Sequence, residues 1–325
     1  MGCRVVLRRP VTTAAHSSPV IIAEKLGKTY RTGFWLDQRV VSLQDCSLTV
    51  NQGETFGLLG ANGAGKTTLL KLLLGIIRPT TGSGTILGCP LGDRFTKQKI
   101  GYLPENAYYY DYLTGWELLD FLGSLFQIEP VQRRQRIAEL LDLVGLPQSA
   151  ARKKQIRQYS KGMVQRIGVA QALINDPELI FLDEPMSGLD PVGRYQIREI
   201  ILKLKQKQKT IFFNTHILAD VEIVCDRIGI LNRGELICLG SLDQLLGTGQ
   251  TYQVRGKGSS PEQLEPWVSN LSFQANNWQG QLNGDPQAFM AALSQSSGHL
   301  TQLQEARPTL EEFFIQQIRQ AGHRS

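Results

Sequence analysis

No stretch of this 325-residue chain is long and apolar enough to cross a bilayer. The longest apolar run, LLKLLLGII from Leu69, is interrupted by Lys71 and falls far short of the ~20 residues a spanning helix needs. Cysteine is sparse: Cys3, Cys46, Cys89, Cys225 and Cys238 are scattered, odd in number and form no CxxC pair. That argues against a disulfide framework or a zinc site and fits a reducing cytoplasm. Acid is missing from the first 20 residues, MGCRVVLRRPVTTAAHSSPV, which also lack a long apolar run. Val6 stands where a myristoylation pattern needs Ser or Thr, so residues 1–20 read as a disordered basic tail or the product of an upstream start codon, with a transit peptide as the minor option.

Charge is correspondingly uneven. Met1 to Arg31 carries six bases against Glu24 alone, so +5 of the net +6 lies there and the rest is nearly neutral. No basic stripe with interleaved aromatics follows, which speaks against a nucleic-acid partner. Two local clusters remain: Arg152 to Arg166, with six bases and no acid, and KLKQKQK at Lys203 to Lys209. Each reads first as a solvated helix face and second as contact with an anionic membrane surface.

What is present is an ordinary globular composition, 42% hydrophobic and 20% charged, long enough for one large α/β domain and a smaller appendage. Strand patterns begin at Ile21, run through VVSLQDCSLTV to a turn at Asn51-Gln52-Gly53, and resume as ETFGLLG. From Trp116 to about Ile174 apolar residues recur at three and four, a helical spacing. Strands return as ELIFLD, TIFFNTH and RIGILNRGELICLG, with an amphipathic helix over VGRYQIREIILKLKQK. Strands alternating with helices predict a mostly parallel sheet covered on both faces. Beyond Gly247 the pattern becomes mixed: a strand over TYQVRG, helices over PEQLEPWVSNL and DPQAFMAALSQ, and a last helix in which Thr309 caps with Glu312. This predicts a small α+β domain over residues 247–325.

GLLGANGAGKTTLL contains Gly60-x-x-x-x-Gly65-Lys66-Thr67, following an apolar strand and opening an apolar helix. Glycine lets several backbone N–H groups approach a phosphate closely. Lys66 supplies a point charge at the β- and γ-phosphates, the Thr67 hydroxyl a ligand for Mg²⁺, and the helix its positive end. Downstream, four apolar residues of LIFLDEP precede Asp183, a candidate metal ligand, and Glu184, a candidate to orient and deprotonate an attacking water. His216 closes TIFFNTH at another strand end and is a candidate γ-phosphate sensor. No NKxD motif occurs, which disfavours a GTPase.

These residues, in this order, resemble the ATP-binding subunits of ABC transporters over roughly Ile21 to Gly240. Gly60 to Thr67, with Asn62, Gly63, Ala64, Gly65, Lys66 and the following Thr68, is similar to Walker A. Leu179 to Asp183 resembles Walker B, Glu184 the catalytic glutamate, SGLD at Ser187 to Asp190 the D-loop and His216 the switch histidine. Tyr30 resembles the aromatic that stacks on adenine. Tyr159-Ser160-Lys161-Gly162-Met163, followed by Gln165-Arg166, resembles the family signature, usually LSGGQ. Ser160 and Gly162 are retained, while Lys161 and Met163 depart in the manner of an exporter variant.

Glu105, in IGYLPENAYYYDYLTG, stands where the family usually has Gln, keeping an oxygen ligand for Mg²⁺ but adding a negative charge. The same substitution, and PTLEEFF at Pro308 to Phe314, resemble the branch of drug-resistance, lipid-export and gliding-motility ATPases. The resemblance implies a P-loop NTPase α/β fold. An ABC ATPase domain over residues 21–246 would include a helical subdomain at about 106–175. It also implies ATP and Mg²⁺ as cofactors, and a head-to-tail dimer with a second ATP-binding subunit, either an identical copy or a paralogue. The third partner implied is an integral membrane permease at the cytoplasmic face, whose coupling helix would meet Tyr108, Tyr109, Tyr110 and Tyr112. The rival reading is a soluble ABC-type ATPase acting on DNA or ribosomes, but the usual coiled-coil insertion or second cassette is missing.

Overall fold

The computed structural model describes residues 18–33, 38–247, 251–294, 298–305 and 309–322. The expected basic tail falls outside them up to residue 17, as does Pro308 of the PTLEEFF resemblance. Two long antiparallel strands come first, β1 (Pro19–Thr32) and β2 (Gln38–Asn51), paired from Pro19 opposite Asn51 to Thr32 opposite Gln38. Thus β1 begins two residues ahead of the expected domain start. Along β2, Cys46, Leu48 and Val50 alternate inward, the period of a strand with one face on the core. β3 (Thr55–Leu59) is buried at all five positions and leads through the glycine loop into α1 (Lys66–Leu73). β4 (Thr81–Ile86) and β5 (Cys89–Pro90) complete a four-stranded antiparallel sheet of order β2-β1-β4-β5.

After β6 (Ile100–Leu103) the chain enters four helices: α2 (Gly115–Leu125), α3 (Pro130–Leu143), α4 (Gln148–Lys153) and α5 (Lys161–Ala172). Caps written in the sequence start two of them. Thr114 and Glu117 bond each other's backbone N–H at α2, and the Ser160 hydroxyl accepts from Met163 N at α5. The chain returns as β7 (Leu179–Asp183), α6 (Pro191–Gln206), β8 (Thr210–Thr215), α7 (Leu218–Val224), β9 (Arg227–Asn232), β10 (Glu235–Ser241) and α8 (Leu242–Leu246).

The main sheet has the order β10-β9-β3-β8-β7-β6 and is parallel except for β10. β3, β7 and β8 are buried throughout, the near-continuous apolar runs of strands covered on both faces. Phe212 lies between Phe56 and Phe181, with ring centroids 5.5 and 5.4 Å away. Burying each such ring stabilises the sheet by about 1.5–3 kcal/mol. Because β3 runs centrally, its glycine loop opens between the ends of β8 and β9.

The last part is a βαββαβ unit: β11 (Thr251–Lys257), α9 (Pro261–Leu264), β12 (Val268–Gln274), β13 (Asn277–Asn283), α10 (Pro286–Ser294) and β14 (His299–Glu305). Its antiparallel sheet has the split order β12-β13-β11-β14 around a separate core of Val254, Trp278, Leu282 and Phe289. One expectation is corrected here. The helix over PEQLEPWVSNL is a single turn, Pro261–Leu264, and Val268 onward is a strand. Pro266 has no N–H to continue the helix, and Val268 pairs with Leu282. Leu264, Trp267, Val268 and Leu271 all turn inward, so their helix-like spacing comes from one turn joined to one strand. Finally α11 (Leu310–Gly322) starts at the Thr309 and Glu312 capping pair and packs back on α7, β9 and β10.

Candidate active site

The glycine loop is shaped by what surrounds it. A Cβ on Gly60 would sit 2.5 Å from the Leu231 carbonyl oxygen, and one on Gly65, at φ +105°, would sit 2.5 Å from the Ser42 oxygen. Neither position admits a side chain without moving backbone. α1 then opens at Lys66 with no side chain bonded to its first N–H groups, which leaves donors for an anion. The Lys66 ammonium turns back and donates to Gly60 O at 2.7 Å and Ala61 O at 3.3 Å. Burial holds its pKa below the ordinary range, against the pull of Glu184, Asp183 and Glu105.

At the ends of β7 and β8 a second group of side chains meets this loop. Asn214 Nδ2 donates to Asp183 Oδ1 at 2.5 Å, while Asn214 Oδ1 is buried with no partner. Glu184 takes a left-handed backbone conformation, φ 50°, a strained choice for a non-glycine residue that re-aims its carboxylate as β7 ends. Its N–H donates to Asn214 O at 2.8 Å. Its Oε2 lies 2.8 Å from His216 Nδ1 and accepts from the Thr215 hydroxyl at 3.5 Å. Burial pushes the Asp183 carboxyl up to about 6, and Glu105 and Glu184 push it further in the same direction, opposed by Asn214 and Lys66. Three carboxylates and one ammonium leave this end of the sheet short of positive charge.

These groups line one cavity of about 340 Å³. Of the residues expected at a nucleotide site, Asn62, Gly63, Ala64, Gly65, Lys66, Thr67, Thr68, Glu105, Glu184 and His216 face it, and Asp183 stands behind Asn214. Ala61 and Ser187, inside the expected phosphate loop and D-loop, also line it, whereas sequence reasoning missed Ser42 and Asn214. Asn214 had a signal, since it lies two residues before His216 on the same strand end. Ser42 had none: it reaches the site from β2, where its hydroxyl lies 2.8 Å from that of Thr68.

The other expected residues lie elsewhere. Tyr30 is half-buried on β1, opposite Val40, with Lys28 Nζ 5.4 Å from its ring. Ser160, Lys161, Gly162 and Met163 form the start of α5 and do not line the cavity, nor does Asp190, whose carboxylate caps α6 by accepting from Gly193 N at 2.7 Å. Ser160 and Lys161 are exposed. The Lys161 side chain instead crosses to the Ser187–Asp190 loop, so near Gly188 that a Cβ there would fall 1.9 Å from Nζ. Of the four tyrosines, Tyr108, Tyr110 and Tyr112 are exposed, whereas Tyr109 turns inward against Gly168 and burial pushes its phenol up to about 12.

The family described as "ABC transporter" matches residues 43–187, from β2 through the strained turn after Glu184. An uncharacterized ABC transporter ATP-binding protein of Synechocystis is 58% identical over 98% of this chain and 91% of its own length. A fluoroquinolones export ATP-binding protein of Mycobacterium tuberculosis is 34% identical over 95% of this chain and 97% of its own. Among solved structures, an ATP-binding cassette dimer in a post-hydrolysis state with ADP and Pi covers 68% of this chain and 98% of its own. It matches with a TM-score of 0.62 and 26% identity. With a phosphate loop, a strand-end carboxylate pair and a histidine at one cavity, and kinship along nearly its whole length, this chain belongs to the ATP-binding proteins of ABC transporters and is an ABC ATPase.

Proposed function

We propose that the chain is one of two ATP-hydrolysing subunits that together drive export through a separate integral membrane permease. The observation that carries this reading is the Glu184 and His216 contact at the mouth of the phosphate-loop cavity. In this reading Lys66 and the N–H groups of Asn62 to Thr68 hold the β- and γ-phosphates. Glu184 orients the attacking water and accepts its proton, and His216 keeps the Glu184 carboxylate turned toward the γ-phosphate. Tyr30 stacks on adenine.

Mg²⁺ fits the donors present. The Thr67 hydroxyl and the carboxylates of Asp183 and Glu105 are hard oxygen ligands, and the buried, unpartnered Asn214 Oδ1 together with the raised Asp183 carboxyl marks a site short of a cation. No three His, Cys, Asp or Glu side chains converge on one point among the described residues, so the remaining ligands would be phosphate oxygens and water. When bound, the ion supplies charge neutralisation at the β- and γ-oxygens.

Ser160, Lys161, Gly162 and Met163 are read as contacts to the γ-phosphate of a nucleotide held by a second subunit, with Asp190 on the loop between the two. The exposure of Ser160 and Lys161, away from the cavity of their own chain, supports a head-to-tail pair. The second subunit is either an identical copy or a paralogue. Exposed Tyr108, Tyr110 and Tyr112 suit docking of the permease at the membrane's cytoplasmic face. No described helix is long and apolar enough to cross a membrane. Export rather than import follows the kinship with the fluoroquinolones export protein. The test is purification of the tagged protein from detergent-solubilised cells. A stoichiometric integral membrane protein in the complex is expected, and reproducible recovery of ribosomal or other soluble partners instead would move the ATPase to another machine.

A further inference from the structure

His216 is half-exposed, and among the described residues the one hydrogen-bond partner of its ring is the Glu184 carboxylate. Its position is therefore set by its backbone, which leads directly into α7. The Thr215 hydroxyl ties this turn together: it donates to Glu184 and accepts from Ile217 N at 3.1 Å. α7 itself has only seven residues and no side-chain cap at Ile217. A helix that short is not stable by itself and takes its position from its neighbours.

Those neighbours are three: β3, α6 and α11. Toward the sheet, Val221 and Val224 are buried; from α6, Arg198 pairs with Asp220 at 3.3 Å and Lys205 Nζ donates to Val224 O at 3.2 Å. On the outer side lies α11, the helix that follows the C-terminal βαββαβ unit. Leu310 is fully buried in the same core cluster as Val221 and Val224, with Phe313 and Phe314 half-buried beside it. At the start of α11 the Leu310 N–H, one of the donors that no intrahelical carbonyl satisfies, is taken by Glu222 Oε1 on α7. A carboxylate at the N-terminus of a 13-residue helix is also favoured by the helix dipole. α11 touches β9 and β10 too, and Gly234 in the turn between them donates its N–H to Ala64 O of the phosphate loop at 2.9 Å.

We infer that Glu222 is a positioning residue for hydrolysis: by anchoring α11 on α7 it fixes the backbone that aims His216 at Glu184. The C-terminal unit thus reaches the water-activating pair through one carboxylate and one helix start. The inference rests on the roles proposed for Glu184 and His216, and it adds to them a residue outside every nucleotide motif.

The test is steady-state ATPase kinetics on Glu222→Ala, Glu222→Gln and Glu184→Gln in the full-length protein. Glu222 is exposed, so its truncation leaves no cavity. Small displacements of a positioned group cost one to two orders of magnitude in rate, so Glu222→Ala is expected to lower kcat about tenfold. KM for ATP should stay within about twofold because the phosphate loop is untouched, and Glu222→Gln, which keeps an acceptor oxygen, should restore most of the rate. Glu312→Ala, which removes the Thr309 capping partner at the same helix start, should shift kcat in the same direction if Glu222→Ala fails to fold. A wild-type kcat in Glu222→Ala beside an inactive Glu184→Gln would overturn the inference and leave the site assignment standing. So would a parallel loss in kcat and KM that Glu222→Gln does not rescue. Undiminished turnover in Glu184→Gln would instead locate the error in the site assignment.

Discussion

Glu184 Oε2 and His216 Nδ1 lie 2.8 Å apart across the ends of two neighbouring parallel strands, with the glutamate backbone held at φ 50°. A carboxylate in that position has a partner that orients it and a strained backbone that keeps it out of the strand. Glu184→Gln retains size and the contact to His216 but cannot accept a proton. ATP affinity should be kept while kcat falls by about 10²–10⁴, the usual contribution of a positioned general base. Single-turnover phosphate release is the measurement, and turnover near the wild-type rate would refute the role.

The Lys66 ammonium donates to Gly60 O and Ala61 O of the loop, and those contacts can be exchanged for phosphate oxygens. A hydrogen bond to a charged group contributes about 1.5–3 kcal/mol. Lys66→Ala should therefore weaken nucleotide binding by about ten- to a hundredfold, read by fluorescent-nucleotide titration. Unchanged affinity would remove the lysine from the phosphate site.

Asp183 links the site to pH. Burial raises its carboxyl from the ordinary 3.8 to about 6, so the folded chain holds its proton to higher pH than the unfolded chain does. Its contribution to stability is complete below about pH 4 and is lost as pH rises through about 6. In nucleotide-free protein with EDTA, Asp183→Asn should be more stable than wild type at pH 7.5 by on the order of 1–3 kcal/mol. The difference should shrink toward pH 4.5. Thermal unfolding of both proteins at the two pH values tests this, and equal Tm values at pH 7.5 would count against it.

Gly256 faces Trp278 in the C-terminal core, where an added Cβ would lie 2.1 Å from Cζ2 and 2.6 Å from the His299 oxygen. Overpacking of that kind costs about 1–3 kcal/mol, and more where backbone must move. Gly256→Ala should speed proteolytic cleavage between residues 251 and 305 several-fold. Cleavage at the wild-type rate would show that the sheet can open to admit the methyl group.

The phosphate loop was legible because its chemistry is local: Gly60, Gly65, Lys66 and Thr67 are close in sequence and sit between a strand and a helix whose periods differ. The capping of α11 by Thr309 was legible for the same reason. Ser42 was not, because its place beside Gly65 and Thr68 depends on pairing across two sheets rather than on any neighbour in sequence. The helix over residues 261–271 failed because inward side chains from a single turn and a following strand can imitate a helical period. Glu222 carries no motif at all, and its partner is 88 residues away.

The separation of α5 from the cavity has a consequence for how the protein behaves in a cuvette. If the exposed start of α5 completes a site on another molecule, each chain brings two unlike halves that it cannot join to one another. Activity then follows the square of concentration when chains are dilute and becomes proportional to it only when most are paired. Turnover per molecule should fall on dilution, and an excess of chains inactivated at Lys66 should titrate the active ones into mixed pairs with one working site. A rate measured at one concentration would describe the pairing equilibrium as much as the chemistry.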